Sequence, residues 1–341
     1  MPFKSVFFEV AGICNGRCAY CVTGAKNANP GAIMQADTFD ATLCNLERLH
    51  LIDSRSVLEL YNWGELFLHP DLQNIIRVIN DHGLRYSIST NASIVPQIDE
   101  AFVKNLIAVR FSMCGFSQQS YDRIHKFEFE RIKENISTIV SRLRSFGYKK
   151  YIEICFHVYR FNANELRECQ RFANDLGVEL FFNDAILHDW WQFEGFLQET
   201  LPNEERREIL DDLFIDEKPL GNVPNGWRCP QWDLLYIDER GNTPVCCCLP
   251  NNHPSYSLGT VEDGLTKRLR NRPNLPICKT CMESGIGYRW QRPAFKGDPS
   301  IPKWVLRNWR MLWPMMKTYL ERFDAKQYLF ARIKPPGSRQ S

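Results

Sequence analysis

Between positions 5 and 183 the chain alternates short runs of β-forming residues with longer stretches whose apolar positions recur at helical spacing. The runs predict strands over 5–10, 57–62, 85–90, 109–113, 151–159 and 178–182. The stretches between them predict helices near 36–50, 71–81 and 97–106, within 117–146, and over 164–176. Strands separated by helices need crossover connections, hence an α/β fold with a parallel sheet. A parallel sheet covered on both faces reads as continuous hydrophobics, whereas these strands alternate. In 151–160, Ile152, Ile154, Phe156 and Val158 share one face and Glu153, Cys155, His157 and Tyr159 the other. The same reading puts Glu9, Glu59, Tyr61, Ser87, Ser89, Asn91, Arg110, Ser112 and Cys114 on one polar side. In a sheet curled into a full or partial barrel these residues line the interior, where a polar cofactor would sit; an open sheet with a few buried polar pairs is the alternative.

From 187 to 227 the periodicity weakens among Pro202, Pro219, Gly221, Pro224 and Gly226, as in a linker or a substrate-side insertion. Residues 229–281 then hold six of the thirteen cysteines around an expected hairpin, 234–238 with 242–245, turning at Glu239, Arg240 and Gly241. Such a segment is held by metal more than by a core. The chain is thus expected to divide into a barrel (1–186), a linker or insertion (187–228), a small cysteine domain (229–300) and a basic, aromatic tail (301–341).

Composition narrows the class. Hydrophobic residues at 44% and charged residues at 24% are globular values, which exclude a disordered chain, and no run of 18 apolar residues offers a membrane span. The first residues lack the features of a signal peptide, so the cytoplasm is the expected compartment. An odd thirteen cysteines in a reducing compartment points to metal ligation or redox chemistry. The net charge of +2 conceals a local +7 over 301–341 and −5 over the rest, so no general nucleic-acid surface is expected.

Directly after the first strand comes Cys14-Asn15-Gly16-Arg17-Cys18-Ala19-Tyr20-Cys21. Three thiolates this close in a loop lack the fourth ligand of a tetrahedral zinc site, yet they can hold three irons of a [4Fe–4S] cluster and leave the fourth open. This CxxxCxxC spacing resembles the signature of the radical S-adenosylmethionine (SAM) superfamily. The resemblance implies a partial (β/α)6 barrel of the TIM-like, radical SAM type and an open iron that takes the amino and carboxyl groups of SAM. Asn62-Trp63-Gly64-Glu65-Leu66, at the end of the second strand, is similar to the family's Gly-Gly-Glu-Pro segment, with Trp63 and Leu66 as departures. It implies Gly64 and Glu65 at the methionyl amine. By the same resemblance Ser89, Asn91, Ser112 and Arg160, at later strand ends, fall where SAM is contacted, and Tyr20 lies near the adenine or covers the cluster. Each is otherwise a polar strand end or a loop aromatic.

Cys229, eleven residues, Gly241, four residues and Cys246 precede Cys278-Lys279-Thr280-Cys281. This pattern resembles the auxiliary-cluster domain called SPASM or, with one cluster, twitch, and implies a second [4Fe–4S] cluster on Cys229, Cys246, Cys278 and Cys281. Structural zinc is the alternative, and Cys247 or Cys248 could take the place of Cys246.

What the resemblance implies is an enzyme that cleaves SAM reductively and abstracts a substrate hydrogen atom, fed by a flavodoxin- or ferredoxin-type donor. The first cluster begins at Cys14, which leaves no room for a leader-binding region and favours a small polar, sugar- or aminocyclitol-like substrate, oxidised or epimerised; a peptide maturase is the alternative. A non-catalytic scaffold is the third reading. Cys114 stands where relatives often have aspartate, and is read either as a hydrogen-atom donor or as a small buried hydrophobe. Cys44 and Cys169 are expected in the helical core. The segment 301–334, with Trp304, Trp309 and Trp313 among basic residues, is read as a helix closing the barrel or as a peripheral membrane contact.

Overall fold

The computed structural model describes residues 2–24, 31–215, 226–249 and 256–289. The 301–341 tail lies outside the described residues. Six strands follow in chain order: β1 (Ser5–Phe8), β2 (Val57–Glu59), β3 (Arg85–Thr90), β4 (Leu106–Met113), β5 (Tyr151–Val158) and β6 (Glu179–Asp184). Each pairs in parallel with the next, giving the α/β sheet that the alternation predicts. Between them run α1 (Ala36–Arg48), α2 (Leu72–Asp81), α3 (Glu100–Lys104), α4 (Gln118–Arg123), α5 (Phe129–Ser145) and α6 (Leu166–Leu176). In α5 the residues Phe129, Ile132, Ile136, Ile139, Val140 and Leu143 recur at three- and four-residue spacing, and all are buried. Gly177, at φ +62°, ends α6, where only a residue tolerant of left-handed backbone fits without strain.

The two faces of the sheet differ as their alternation requires. Val6, Phe8, Leu58, Ile88, Phe111, Ile154, Phe156 and Leu180 are buried on the apolar side. On the other face the polar residues meet across strands. Glu59 accepts from Ser87, Arg110 pairs with Glu153, and Tyr151 Oη donates to Glu153 Oε2 at 2.7 Å. Ser112 Oγ lies 3.0 Å from His157 Nε2, and Cys155 Sγ donates to Asn183 Oδ1 at 3.5 Å.

Two expectations are corrected, the pairing of the 234–238 run and the place of Cys44. The 234–238 run does not form the strand of a separate hairpin: β7 (Leu235–Ile237) joins the main sheet parallel to β1, so the row reads β6-β5-β4-β3-β2-β1-β7. Phe7 stacks on Tyr236 at 5.0 Å, a long-range contact that outweighs the local pairing. The turn itself is where expected, with Gly241 at φ +80° and Asp238 N donating to Asn242 O at 2.8 Å. After it, β8 (Asn242–Pro244) pairs antiparallel with β9 (Ser257–Thr260). The 229 boundary therefore does not separate the cysteine region from the sheet.

The 187–228 segment, read as a linker or a substrate-side insertion, is ordered in its described part. It carries α7 (Trp190–Leu197) and α8 (Asn203–Asp212), with Trp190, Phe193, Phe196 and Ile209 buried. Asp189 Oδ1 caps α7 by accepting from Trp191 N at 2.9 Å. Helices α9 (Leu265–Asn271), α10 (Pro276–Glu283) and α11 (Ile286–Arg289) complete the described chain. Cys169 is buried, whereas Cys44, expected in the core, is exposed on α1.

Candidate functional site

The loop after β1 folds back over the carboxyl ends of β2 and β3. Glu65 N donates to Ile13 O at 2.8 Å, and a Cβ on Gly64 would stand 1.8 Å from the Ala11 carbonyl oxygen, so only glycine lets the two loops approach. Cys14, Cys18 and Cys21 come together in this loop. Gly16 N donates to Cys14 Sγ at 3.3 Å, and Asn91 Nδ2 donates to the same sulfur at 3.8 Å. Burial pushes the Cys14 thiol up to about 12, with Glu65, Cys21 and Glu9 adding to it. Burial likewise raises Cys18, then the fields of Cys21 and Cys14. A buried trio that repels its own charge needs a cation to become three thiolates, which is what a cluster or metal supplies. The donor set fits three-point ligation of a [4Fe–4S] cluster.

Cys114 is close enough for its charge to be felt at Cys18, but its thiol donates to Ser120 O of α4 at 3.8 Å and burial holds it protonated. Ser112 is engaged with His157, and Ser89 faces Arg110 in the sheet register. Arg160 Nε donates to Leu213 O at 2.8 Å, and its guanidinium lies 4.8 Å from the Phe214 ring, so it meets the chain after α8. Tyr20 Oη donates to Asp212 Oδ2 at 2.6 Å.

Three carboxylates surround the loop. Glu65 Oε1 accepts from Phe67 N at 3.1 Å and Thr90 Oγ1 at 2.7 Å, while Oε2 accepts from Asn91 N at 2.7 Å. Glu65 thus joins the ends of β2 and β3 before any ligand is considered. Glu9 Oε2 accepts from Trp63 N and from Gly64 N at 3.0 Å. Burial pushes the Glu9 carboxyl up to about 8, and Glu239 and Glu65 raise it further. Glu239 packs on Gly12, where a Cβ would stand 2.6 Å from its Cδ, and its Oε2 is buried without a hydrogen-bond partner. Its Oε1 lies 3.5 Å from Arg240 Nε, and the unpaired Oε2 favours a further donor or cationic neighbour. Glu239 was missed in the sequence because it sits in a turn far from the first cysteine motif.

The structure brings Cys229, Cys246, Cys278 and Cys281 near one another. Cys229 feels the charges of Cys246, Cys281 and Cys278, and Cys278 and Cys281 feel that of Cys246. Burial pushes Cys229 up to about 12 and Cys278 and Cys281 up to about 11. Cys246 alone is lowered, by a hydrogen bond from Cys248 and by Arg272. Cys247 Sγ donates instead to Gln231 Oε1 at 3.4 Å. Arg272 was not foreseen. Its buried guanidinium donates through Nη1 to Gln231 O (3.2 Å), Leu234 O (2.9 Å) and Val245 O (3.4 Å), and through Nη2 to Trp232 O (2.6 Å).

No family model matches the chain. It is 20% identical over 292 residues, 80% of its length, to the antilisterial bacteriocin subtilosin biosynthesis protein AlbA of Bacillus subtilis. It is 27% identical over 176 residues, 47% of its length, to an S-adenosylmethionine-dependent nucleotide dehydratase of Psychrobacter lutiphocae. The matches span 60% and 57% of those curated relatives. In fold it is similar to anSMEcpe solved with bound AdoMet, with a TM-score of 0.53, 14% identity, and coverage of 82% of this chain and 83% of that one.

Proposed function

We propose that the chain, similar in fold to anSMEcpe and carrying the CxxxCxxC pattern, is a radical SAM enzyme holding a [4Fe–4S] cluster on Cys14, Cys18 and Cys21 and SAM beside it. The observation that carries this is the gathering of those three thiols, without a fourth ligating cysteine in the loop, at the carboxyl edge of a parallel sheet, where α/β proteins bind ligands. Such a cluster, once reduced, supplies the electron that cleaves SAM to methionine and a 5′-deoxyadenosyl radical able to take a substrate hydrogen atom. The chain's own part is to shape and charge the site. Asn91 donates to Cys14 Sγ, Glu65 fixes the loop after β2 against β3, and the buried Oε2 of Glu239 leaves an open acceptor beside the loop for a cationic ligand. A second [4Fe–4S] cluster on Cys229, Cys246, Cys278 and Cys281 completes the proposal, with a flavodoxin- or ferredoxin-type protein as electron donor.

The substrate is a small polar molecule. The interior face of the sheet offers hydrogen-bonding groups at every level, from Glu59 and Ser87 through Arg110 and Glu153 to Ser112 and His157. Burial lowers His157 to about 3, so it meets the substrate neutral. A ribosomally made peptide is the second reading, favoured by the likeness to AlbA, whose name places it in bacteriocin biosynthesis.

Anaerobic reconstitution tests the assignment. The chain is expected to bind about eight irons and to form 5′-deoxyadenosine from SAM under reduction. Replacing Cys14, Cys18 and Cys21 together leaves about four irons and abolishes that product. Deoxyadenosine formed by the triple variant would overturn the proposal. Deuterium transfer into 5′-deoxyadenosine from labelled sugars or from labelled peptides separates the two substrate readings.

A further inference from the structure

Away from the two cysteine groups, on the outer helices, α1 and the end of α2 bring together Asp40, Cys44, Glu47 and His82. Asp40 and Cys44 stand four residues apart, so they share one face of α1, and Glu47 follows within the next turn. His82, which caps α2, reaches into this face. Its Nε2 lies 2.9 Å from Asp40 Oδ1 and its Nδ1 3.1 Å from Glu47 Oε2. One ligand atom each from Asp40, Cys44 and His82 lies within 4.8 Å of the others.

We propose that Asp40, Cys44 and His82 form a binding site for a zinc-like divalent cation, with Glu47 as the carboxylate that orients the imidazole. An imidazole between two carboxylates has a ring nitrogen facing an oxygen on each side, and every such contact needs a proton or a metal ion between the atoms. With Glu47 accepting the Nδ1 proton, Nε2 shares a proton with Asp40 until a cation takes its place. That carboxylate–histidine arrangement is how proteins orient a metal-bound imidazole. A cation entering there replaces the proton shared by Nε2 and Asp40 and the proton of the Cys44 thiol, so both leave to solvent. The mixed oxygen, nitrogen and sulfur donors suit Zn²⁺ rather than Mg²⁺ or Ca²⁺, which prefer oxygen alone. Tetrahedral zinc wants ligand atoms about 3.5 Å apart. Asp40 and His82 already meet that, and rotation of the exposed Cys44 side chain completes it. The fourth position goes to water. The ion would clasp α1 to α2 across the helical layer, independently of the clusters.

The test uses the cluster-loaded protein and Zn²⁺ alone. Cys44 is the exposed cysteine among the described residues, so its alkylation rate can be followed by peptide mass spectrometry. Zn²⁺ is expected to slow labelling of Cys44 by about tenfold or more while iron content stays constant. His82→Gln abolishes the protection, and Glu47→Gln weakens Zn²⁺ affinity by about tenfold. Two results would overturn the site: Cys44 labelled at one rate with and without Zn²⁺, or protection in His82→Gln equal to that in the unaltered chain. Iron content in each variant reports whether the fold is intact.

Discussion

Tyr20 and Asp212 are hydrogen-bonded at 2.6 Å across 192 positions of chain, and the bond ties the first cysteine loop to the last residue of α8. Arg123 pairs with the other oxygen of Asp212 and lies 4.5 Å from the Phe161 ring. Arg160 N donates to Asp212 O at 2.9 Å, so the end of α5's neighbouring strand β5 meets the same point. The segment after β6 is therefore docked on the first cysteine loop by polar contacts that only the folded chain assembles.

Tyr20→Phe removes one hydrogen bond to a buried carboxylate and leaves the ring. Stability against urea is expected to fall by about 1–3 kcal/mol with iron content unchanged. An unaltered midpoint would show that the bond does not anchor α8.

Glu9 gives a pH signature. Its carboxyl is pushed up to about 8 in the folded chain, from an ordinary value near 4.5, mainly by burial. The folded state then holds a proton that the unfolded state has released, so stability is greatest below the unfolded value and falls as pH rises toward 8. Glu9→Gln keeps an acceptor for Trp63 N and Gly64 N without the ionisation. The variant's melting temperature is expected to change less between pH 6 and 8 than that of the unaltered chain, with a relative gain of roughly 2 kcal/mol at the upper end. Parallel pH curves for the two proteins would refute this.

Arg272 holds four carbonyls from two segments of the cysteine region, 231–234 and Val245. Arg272→Met leaves them buried and unpaired, at a cost of about 3 kcal/mol or more. Bound iron is expected to fall from about eight to about four per chain, with SAM cleavage retained at the N-terminal site. Full iron loading in this variant would show that the guanidinium is dispensable.

What was legible in the sequence follows the range of each interaction. The strand alternation in 151–159 was enough to place Glu153 and His157 on one face, because side-chain direction in a strand depends on neighbours alone. The short spacings of Cys14, Cys18 and Cys21 and of Cys278 and Cys281 are local in the chain and so were readable without the fold. Their partners were not legible. That Leu235–Ile237 leaves its hairpin for β1 depends on Phe7 meeting Tyr236, more than 200 positions away. The resemblance gives Glu65 to the methionyl amine, but that Thr90 and Asn91 also donate to it depends on the register of β2 and β3, which the sequence does not show. The two helices α7 and α8 went unread because apolar periodicity weakens over 187–227, and the cap that Asp189 gives α7 shows only in the folded chain.

The three adjacent cysteines, Cys246, Cys247 and Cys248, allow a final distinction. Cys246 is the one whose thiolate is favoured, by the hydrogen bond from Cys248 and by the charge of Arg272, and its field reaches Cys229, Cys278 and Cys281. Cys247 is directed to Gln231 and Cys248 is buried behind it. In a chain lacking the three N-terminal ligands, Cys246→Ser is expected to remove the remaining four or so irons, and Cys247→Ser to retain them. Iron lost with Cys247→Ser but kept with Cys246→Ser would reverse the assignment. The same preparation decides what the metal is. A reducible iron–sulfur signal in electron paramagnetic resonance means that the auxiliary site can pass an electron, whereas stoichiometric zinc without that signal confines it to holding Cys229, Cys246, Cys278 and Cys281 in place.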